Sequence, residues 1–412
     1  MKKLVAAFIF FTLLASGAFA DFSLSGLLGV GATFLKNSSA KNTDLYSGGL
    51  IYGRLQANYQ NDDETIGGVL RLAAGQYAHA TPAPPAFTPY AWVWWKPIEQ
   101  VRLQIGFIDD YTAAYIVGWE YHFNDSEDYN VVSAGYDHTG RLFPRETGFY
   151  SGIYWNGVSL TLTPFNGLKL LVAVPFRLDG DVWDNGTLPS DLRAENSYQY
   201  THAQAAYTIE ETGRITVSFT GGGNGKLEYY PTIMGYEMRS NASTFYASFL
   251  LTAIKNIDMN FGVAYTLPAK GDGVTFNSPV AAGFGFGFDY GKFTLKTRLA
   301  ATFMGSARES RGTFKEPLKL AFGILPSYGF GPLRLYFNTG LSFKGKDEIY
   351  YSGMITKAND SFAIGWHLNP YVCLKVGPGT IFGGVRVESD GVKYAEGRIV
   401  DWGIPIGIQL EF

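Results

Sequence analysis

The stretch DWGIPIGIQLEF, from Asp401 to Phe412, constrains the fold more than any other part of the chain. Its apolar side chains occupy every second position: Trp402, Ile404, Ile406, Ile408, Leu410 and Phe412. A period of two predicts a β-strand with one apolar and one polar face. The apolar face of such a strand must be covered, either by a second protein layer or by lipid.

The same alternation recurs along the chain. In the clearest segment Ile51, Gly53, Leu55, Ala57 and Tyr59 alternate with Tyr52, Arg54, Gln56, Asn58 and Gln60. Similar segments are 101–108, 168–176, 214–220, 257–265, 293–303, 333–343 and 381–387, and the weakest are 88–95 and 201–209. The count is about eighteen strands, with sixteen as the alternative, because strand boundaries drift by about 2–4 residues in a single sequence.

The connections between these segments alternate in length. Short turns begin near Asn61, Lys96, Pro164, Glu210, Ala253, Asp289, Gly329 and Gly377. Longer polar loops are predicted near 36–45, 75–87, 109–147, 177–198, 221–242, 267–277, 304–317, 344–361 and 389–400. Tight turns at one end and long loops at the other are typical of an all-β, transmembrane antiparallel β-barrel with periplasmic turns. Aromatic residues near strand ends, among them Tyr59, Trp94, Trp95, Tyr290 and Trp402, would form its interfacial girdles.

Residues 1–20 have the pattern of a cleaved signal peptide, with Lys2 and Lys3, an apolar run and then Ala18-Phe19-Ala20. No later run approaches the roughly 18 apolar residues of a membrane helix. An exported chain without such a helix can cross a membrane only as a closed barrel. We therefore predict one barrel domain over 21–412, in contact with outer-membrane lipid. The formal net charge of −3 gives no indication of a nucleic-acid partner.

The third long loop, which begins at Asp109, is much longer than its neighbours and is acidic. The basic residues on the predicted polar face of the wall are Arg54, Arg71, Arg102, Lys169, Lys296, Arg298, Lys319, Arg334 and Arg386. One interpretation is that water-exposed wall residues must be polar and some are basic. The other is that the acidic loop folds into the lumen, opposite the basic wall, and sets a strong field across a wet constriction.

This architecture resembles the Gram-negative outer-membrane porins, over the whole predicted mature chain. The resemblance implies a homotrimer whose third loop constricts each channel, with loop acids opposite wall arginines and lysines. It places the loop acids at Asp109, Asp110, Glu120, Asp125, Glu127 and Asp128, and the opposing wall residues at Arg54, Arg71 and Arg102. A count of eighteen strands is nearer that of sugar-specific or amino-acid-specific channels.

Catalytic motifs are not found. The histidines are His79, His122, His138, His202 and His367, and none has the spacing of a metal-ligand motif. We therefore expect neither an enzyme nor a cofactor. The predicted function is passive diffusion of small hydrophilic solutes and ions. A sugar or amino-acid channel, for which Tyr52, Tyr90, Trp92 and Tyr154 could supply an aromatic track, and a barrel-anchored surface or adhesion protein are the alternatives.

Overall fold

The computed structural model describes residues 20–38, 42–77, 86–110, 153–175, 201–221, 227–232, 235–240, 243–267, 270–271, 274–276, 280–303, 306–309, 312–315, 319–344, 348–351, 354–355, 363–389 and 400–412. The predicted signal peptide lies outside these residues, except for Ala20. In the part of the chain that is described, no helix is long and apolar enough to span a membrane.

Eighteen antiparallel strands form one closed barrel. They are β1 (Ala20–Ser38), β2 (Asn42–Asn61), β3 (Ile66–Tyr77), β4 (Ala86–Ile98), β5 (Val101–Asp110), β6 (Ile153–Leu162), β7 (Leu168–Pro175), β8 (His202–Ile209), β9 (Gly213–Thr220), β10 (Thr244–Leu251), β11 (Ile257–Thr266), β12 (Val280–Tyr290), β13 (Phe293–Phe303), β14 (Lys319–Phe330), β15 (Leu333–Lys344), β16 (Ala363–Val376), β17 (segments Gly379–Gly384 and Arg386–Ser389) and β18 (Val400–Glu411). Each strand pairs with the next in sequence, and the pairing of β1 with β18, with Leu28 opposite Leu410, closes the barrel.

The strand number of eighteen is confirmed, and the alternative of sixteen is wrong. Both weakly predicted segments are strands, β4 and β8. Two of the eight predicted turns, those that begin at Pro164 and Ala253, lie wholly between paired strands, and strand residues extend one to three positions into the other six.

Several predicted long loops contain strand, which corrects the sequence interpretation. The loop predicted at 36–45 is mostly strand, because β1 and β2 stay paired up to Ser38 opposite Asn42. Residues 227–240 carry a hairpin, and short strands between 270 and 355 form a further sheet of six strands. A polar composition indicates contact with solvent, but a strand continues as long as its backbone groups have hydrogen-bonding partners on a neighbouring strand.

The wall of the barrel has apolar side chains on its outside and polar side chains on its inside, the reverse of a soluble protein. We call the side chains that point outward the outer row and those that point into the barrel the inner row. Large apolar residues on the outer row are exposed, as at Phe261, which lies between Phe249 and Phe284 of the neighbouring strands and is 53% exposed. The described polar and charged residues that are buried all lie on the inner row: Ser159, His202, Gln204, Thr216, Ser218, Thr244, Asn260, Ser327, Asn338, Asn369, Arg386 and Gln409. Such a surface is stable only in contact with lipid, as in a membrane barrel.

The tight-turn rim carries a girdle of aromatic side chains on the outer face. Its exposed members include Trp95, Tyr207, Tyr290, Tyr328, Phe330 and Phe412. Trp94 is a correction to the predicted girdle: it is buried, and its register partners Gly67 and Gln104 belong to the inner row. Neighbouring tryptophans on a strand face opposite sides, so only one of Trp94 and Trp95 can meet lipid.

Candidate channel lumen

The inner row of the barrel carries the predicted basic wall residues. Arg54 lies opposite Leu27 of β1 and Ala73 of β3. Lys296 lies opposite Gly287 and Leu325, and the backbone of Arg298 lies opposite Gly285 and Gly323. The remaining predicted wall positions on this row are Arg71, Arg102, Lys169, Lys319, Arg334 and Arg386. Acids are fewer on the described inner row, so the wall itself is basic.

One group of inner-row side chains on β2–β5 combines an arginine with aromatic rings. The Arg71 guanidinium carbon lies 5.4 Å from the centroid of the Trp92 ring, and its Nε donates to Gln56 Oε1 at 2.9 Å. The Phe107 ring lies 4.4 Å from the Tyr90 ring and 6.3 Å from the Trp92 ring, measured between centroids. We call Arg71, Tyr90, Trp92 and Phe107 the aromatic cluster.

Gly106 makes this packing possible. Its φ of +113° is a conformation that side-chain-bearing residues rarely adopt, and a Cβ there would lie 2.3 Å from the carbonyl oxygen of Ala91 on β4. The residues after it, Phe107 and Ile108, are both buried, whereas neighbours on a regular strand point to opposite faces. Gly106 therefore marks the place where β5 departs from the alternation and adds an aromatic ring to the inner face.

A second tryptophan of the inner row, Trp94, lies nearer the tight turns and contacts two cationic side chains. The Lys96 ammonium lies 5.1 Å and the Arg102 guanidinium 5.0 Å from the Trp94 ring centroid, which is the cation–π range. The Trp94 ring covers Gly67, where a Cβ would lie 2.3 Å from the ring atom Cζ2. The Arg102 Nη2 also donates to Gln104 Oε1 at 3.2 Å. Two cations are thus held side by side on the inner face.

On β13–β16 another arginine lies beside aromatic and hydroxyl groups. Tyr336 and Tyr371 stack at 4.6 Å between centroids with an interplanar angle of 4°. The Arg334 guanidinium lies 5.6 Å from the Tyr336 ring and donates from Nε to Ser327 Oγ at 3.1 Å and from Nη2 to the Thr294 hydroxyl. This lumen wall therefore carries fixed cations at two separate places.

The predicted loop acids fall largely outside the described residues. Glu120, Asp125, Glu127 and Asp128 belong to this group. The backbone of Asp109 and Asp110 is the end of β5, opposite Tyr154 and Ile153 of β6, so both positions are in the wall strand and not in the loop proper. The other end of β6 joins a tight turn, which places the two positions at the long-loop rim.

Sequence reasoning missed Trp94, Phe107, Tyr336 and Tyr371 as lumen residues. Strand parity could have found Trp94, Tyr336 and Tyr371, because each alternates with outer-row apolar residues. Phe107 could not have been found in that way. Among the described residues, no group of three or more His, Cys, Asp or Glu side chains could hold a metal ion.

Comparison with known proteins rests on structure alone. No family model and no curated protein sequence matches the chain. A BenF-like porin from Pseudomonas fluorescens Pf-5 superposes with a TM-score of 0.57 at 10% identity, covering 95% of this chain and 99% of that one. OccK9 (OpdG) from Pseudomonas aeruginosa superposes with a TM-score of 0.55 at 12% identity, covering 96% and 100%. The eighteen-strand closure, the apolar outer row and these likenesses together establish that the chain has the fold of the Gram-negative outer-membrane porins.

Proposed function

We propose that this protein is an outer-membrane porin, a channel for passive diffusion of small hydrophilic solutes and ions and not an enzyme. The observation that carries the proposal is the closed barrel with an apolar outer row and a polar, basic inner row. Strand spacing of about 4.8 Å and a tilt of about 40° give eighteen strands a backbone radius of roughly 18 Å. That radius is wide enough for an aqueous path beyond the inner side chains.

Reconstitution into planar bilayers tests the channel function. Stepwise, ohmic increases in current are expected when the purified protein is added to one chamber. A barrel that serves only as an anchor for a surface or adhesion protein would give loop-dependent binding without conductance. Detergent-solubilised protein that inserts, resists heat unfolding and carries no current would contradict the proposal.

We also propose that the third long loop narrows the channel and that its acids oppose the basic wall. The Asp109→Asn, Asp110→Asn double variant removes two negative charges at the end of β5, directly before this loop. Because the basic wall would then be less compensated, ion selectivity is expected to shift toward anions, seen as a changed reversal potential in a KCl gradient. The control is Asp62→Asn, Asp63→Asn, in the tight turn after β2. Equal reversal potentials in the wild-type protein and both double variants would mean that Asp109 and Asp110 do not lie at the constriction.

The oligomeric state and the processing site belong to the same proposal. A homotrimer is expected by resemblance to porins, and cross-linking of the protein in native membranes should give a ladder that ends at three subunits.

Cleavage after Ala20 is expected from the signal pattern, so the N-terminal sequence of the mature protein should begin at Asp21.

A substrate-preferring channel, for sugars or amino acids, is the second candidate. It is favoured by the aromatic cluster, because rings beside a guanidinium offer both stacking and hydrogen bonding to a passing solute. A preferred solute would block ion current with saturation. Trp92→Ala is then expected to weaken the block by about three- to tenfold, the value of one aromatic contact. Trp95→Ala, on the outer face, is the matched control, and equal loss in both would exclude Trp92 as a solute contact.

A further inference from the structure

We propose that the channel has a charge filter at its tight-turn rim, formed by Lys96, Arg102, Lys169 and Arg214, which we call the rim arc. The inference rests on the proposed channel function. It uses only wall residues and does not involve the third long loop. The filter would make the mouth at this end prefer anions and would be most effective at low salt.

The register places these side chains together. Strands β5, β7 and β9 each begin after a tight turn, and antiparallel alternation puts all tight turns at one rim. Arg102, Lys169 and Arg214 are each the second residue of these strands and belong to the inner row. Their register partners on β6 and β8 include Thr161 and Thr208, which are uncharged. On the inner row the arc is therefore basic from β4 to β9, whereas the exposed tight turns beside it carry Glu64, Glu99, Glu210 and Glu211.

Two acids of the inner row lie further round the same rim. Asp258 is the second residue of β11, and its carboxylate lies against Gly287, where a Cβ would be 2.5 Å from Oδ1. Asp289, also on the inner row, is next to last in β12, opposite Thr294. On the inner row of the rim the four bases of the arc and these two acids thus occupy different sectors, so the inner row carries a transverse field.

Part of the arc is fixed in place before any solute arrives. Trp94 holds Lys96 and Arg102 on one ring, and the ring is seated on Gly67. Lys96 Nζ lies 3.9 Å from Glu64 Oε2 in the exposed turn between β2 and β3. Arg102 makes no ion pair with a carboxylate in the described part of the chain. A cation held in position acts on passing ions without the entropic cost of ordering a free side chain.

The dimensions decide whether such an arc can act on ions at the channel axis. A side chain that reaches about 7 Å inward from a wall of roughly 18 Å radius leaves its charge about 11 Å from the axis. This is about one Debye length at 0.1 M salt, but several Debye lengths at 1 M. Coulomb's law in water then predicts a roughly two- to threefold change in the anion-to-cation permeability ratio when two of the four charges are removed at low salt.

The test compares two double variants of the full-length protein in planar bilayers. Lys169→Gln, Arg214→Gln removes two charges of the arc, whereas Lys255→Gln, Lys292→Gln removes two exposed charges from tight turns at the same rim. Near 0.1 M KCl the first variant is expected to lower the permeability ratio of chloride to potassium about two- to threefold, and the second to leave it near the wild-type value.

A measurement on the wild-type protein keeps the inference testable if a variant fails to fold. Raising the salt to about 1 M shortens the Debye length to about 3 Å, so the rim's contribution to the ratio should disappear. Normal conductance with ratios that are equal in both double variants, or that do not depend on salt, overturns the rim filter alone. Failure of the folded wild-type protein to conduct overturns the proposed function, and the filter with it.

Discussion

Phe261→Arg is expected to destabilise the folded protein in lipid bilayers by about 2–4 kcal/mol, the cost of an arginine near the middle of a lipid-facing strand. Phe261 is the fifth of the ten residues of β11, and its neighbours on the outer row, Phe249 and Phe284, are also aromatic. A guanidinium at this position would meet hydrocarbon, with only apolar side chains beside it.

The matched control is Ser248→Arg, on the adjacent strand and at the adjacent register. Ser248 belongs to the inner row and lies between Thr216 and Gly262. The control is expected to change the free energy of unfolding by less than about 1 kcal/mol, since its charge stays in water. Guanidinium titrations of protein folded into phosphatidylcholine vesicles measure both values. Equal destabilisation by the two arginines would mean that the assignment of outer and inner rows is wrong.

Gly106→Ala is expected to cost about 2–6 kcal/mol, because about 1–3 kcal/mol of backbone strain at positive φ adds to about 1–3 kcal/mol of overpacking. The new methyl group would meet the carbonyl oxygen of Ala91 at 2.3 Å, and this atom belongs to the rigid backbone of β4. Separation of β4 from β5 would also disturb the contact of Phe107 with Tyr90. The same vesicle titration measures the loss.

Gly291→Ala measures the cost of backbone strain at positive φ without the steric clash that a Cβ would cause at Gly106. Gly291 has a φ of +60° in the tight turn between β12 and β13, but nothing lies within 4 Å of a Cβ built there. This variant should therefore cost only the strain of a left-handed residue, about 1–2 kcal/mol. If Gly106→Ala were no more destabilising than Gly291→Ala, then β4 and β5 would not be in the close contact that brings Phe107 to the inner row.

Much of the wall could be predicted from the sequence because strand parity is a local property. A residue two positions along a strand faces the same side, whatever the rest of the chain does. The outer rows of β2 and β18, the inner positions of Arg71 and Arg334 and the strand count of eighteen all follow from this rule. Trp94 and Trp95 were both assigned to the girdle from their position near a strand end, and strict application of the parity rule would have kept Trp94 out.

Polar composition was a poorer guide to the long-loop end of the barrel. The stretch at 36–45 is polar and was predicted as a loop, yet β1 and β2 remain paired through most of it. Asp109 and Asp110 were predicted to begin the third loop, and their backbone is still part of β5. Pairing depends on whether a partner strand is present, which composition does not report.

The sequence by itself determined which residues face lipid and which face the lumen, since alternation depends only on the geometry of one strand. Only the tertiary structure decided which lumen residues become neighbours. Trp94 meets Arg102 across a strand pair, and the rim arc spans six strands from β4 to β9. Such neighbours depend on the register of every intervening pair and on the closure of β1 on β18, where small staggers add up around the barrel.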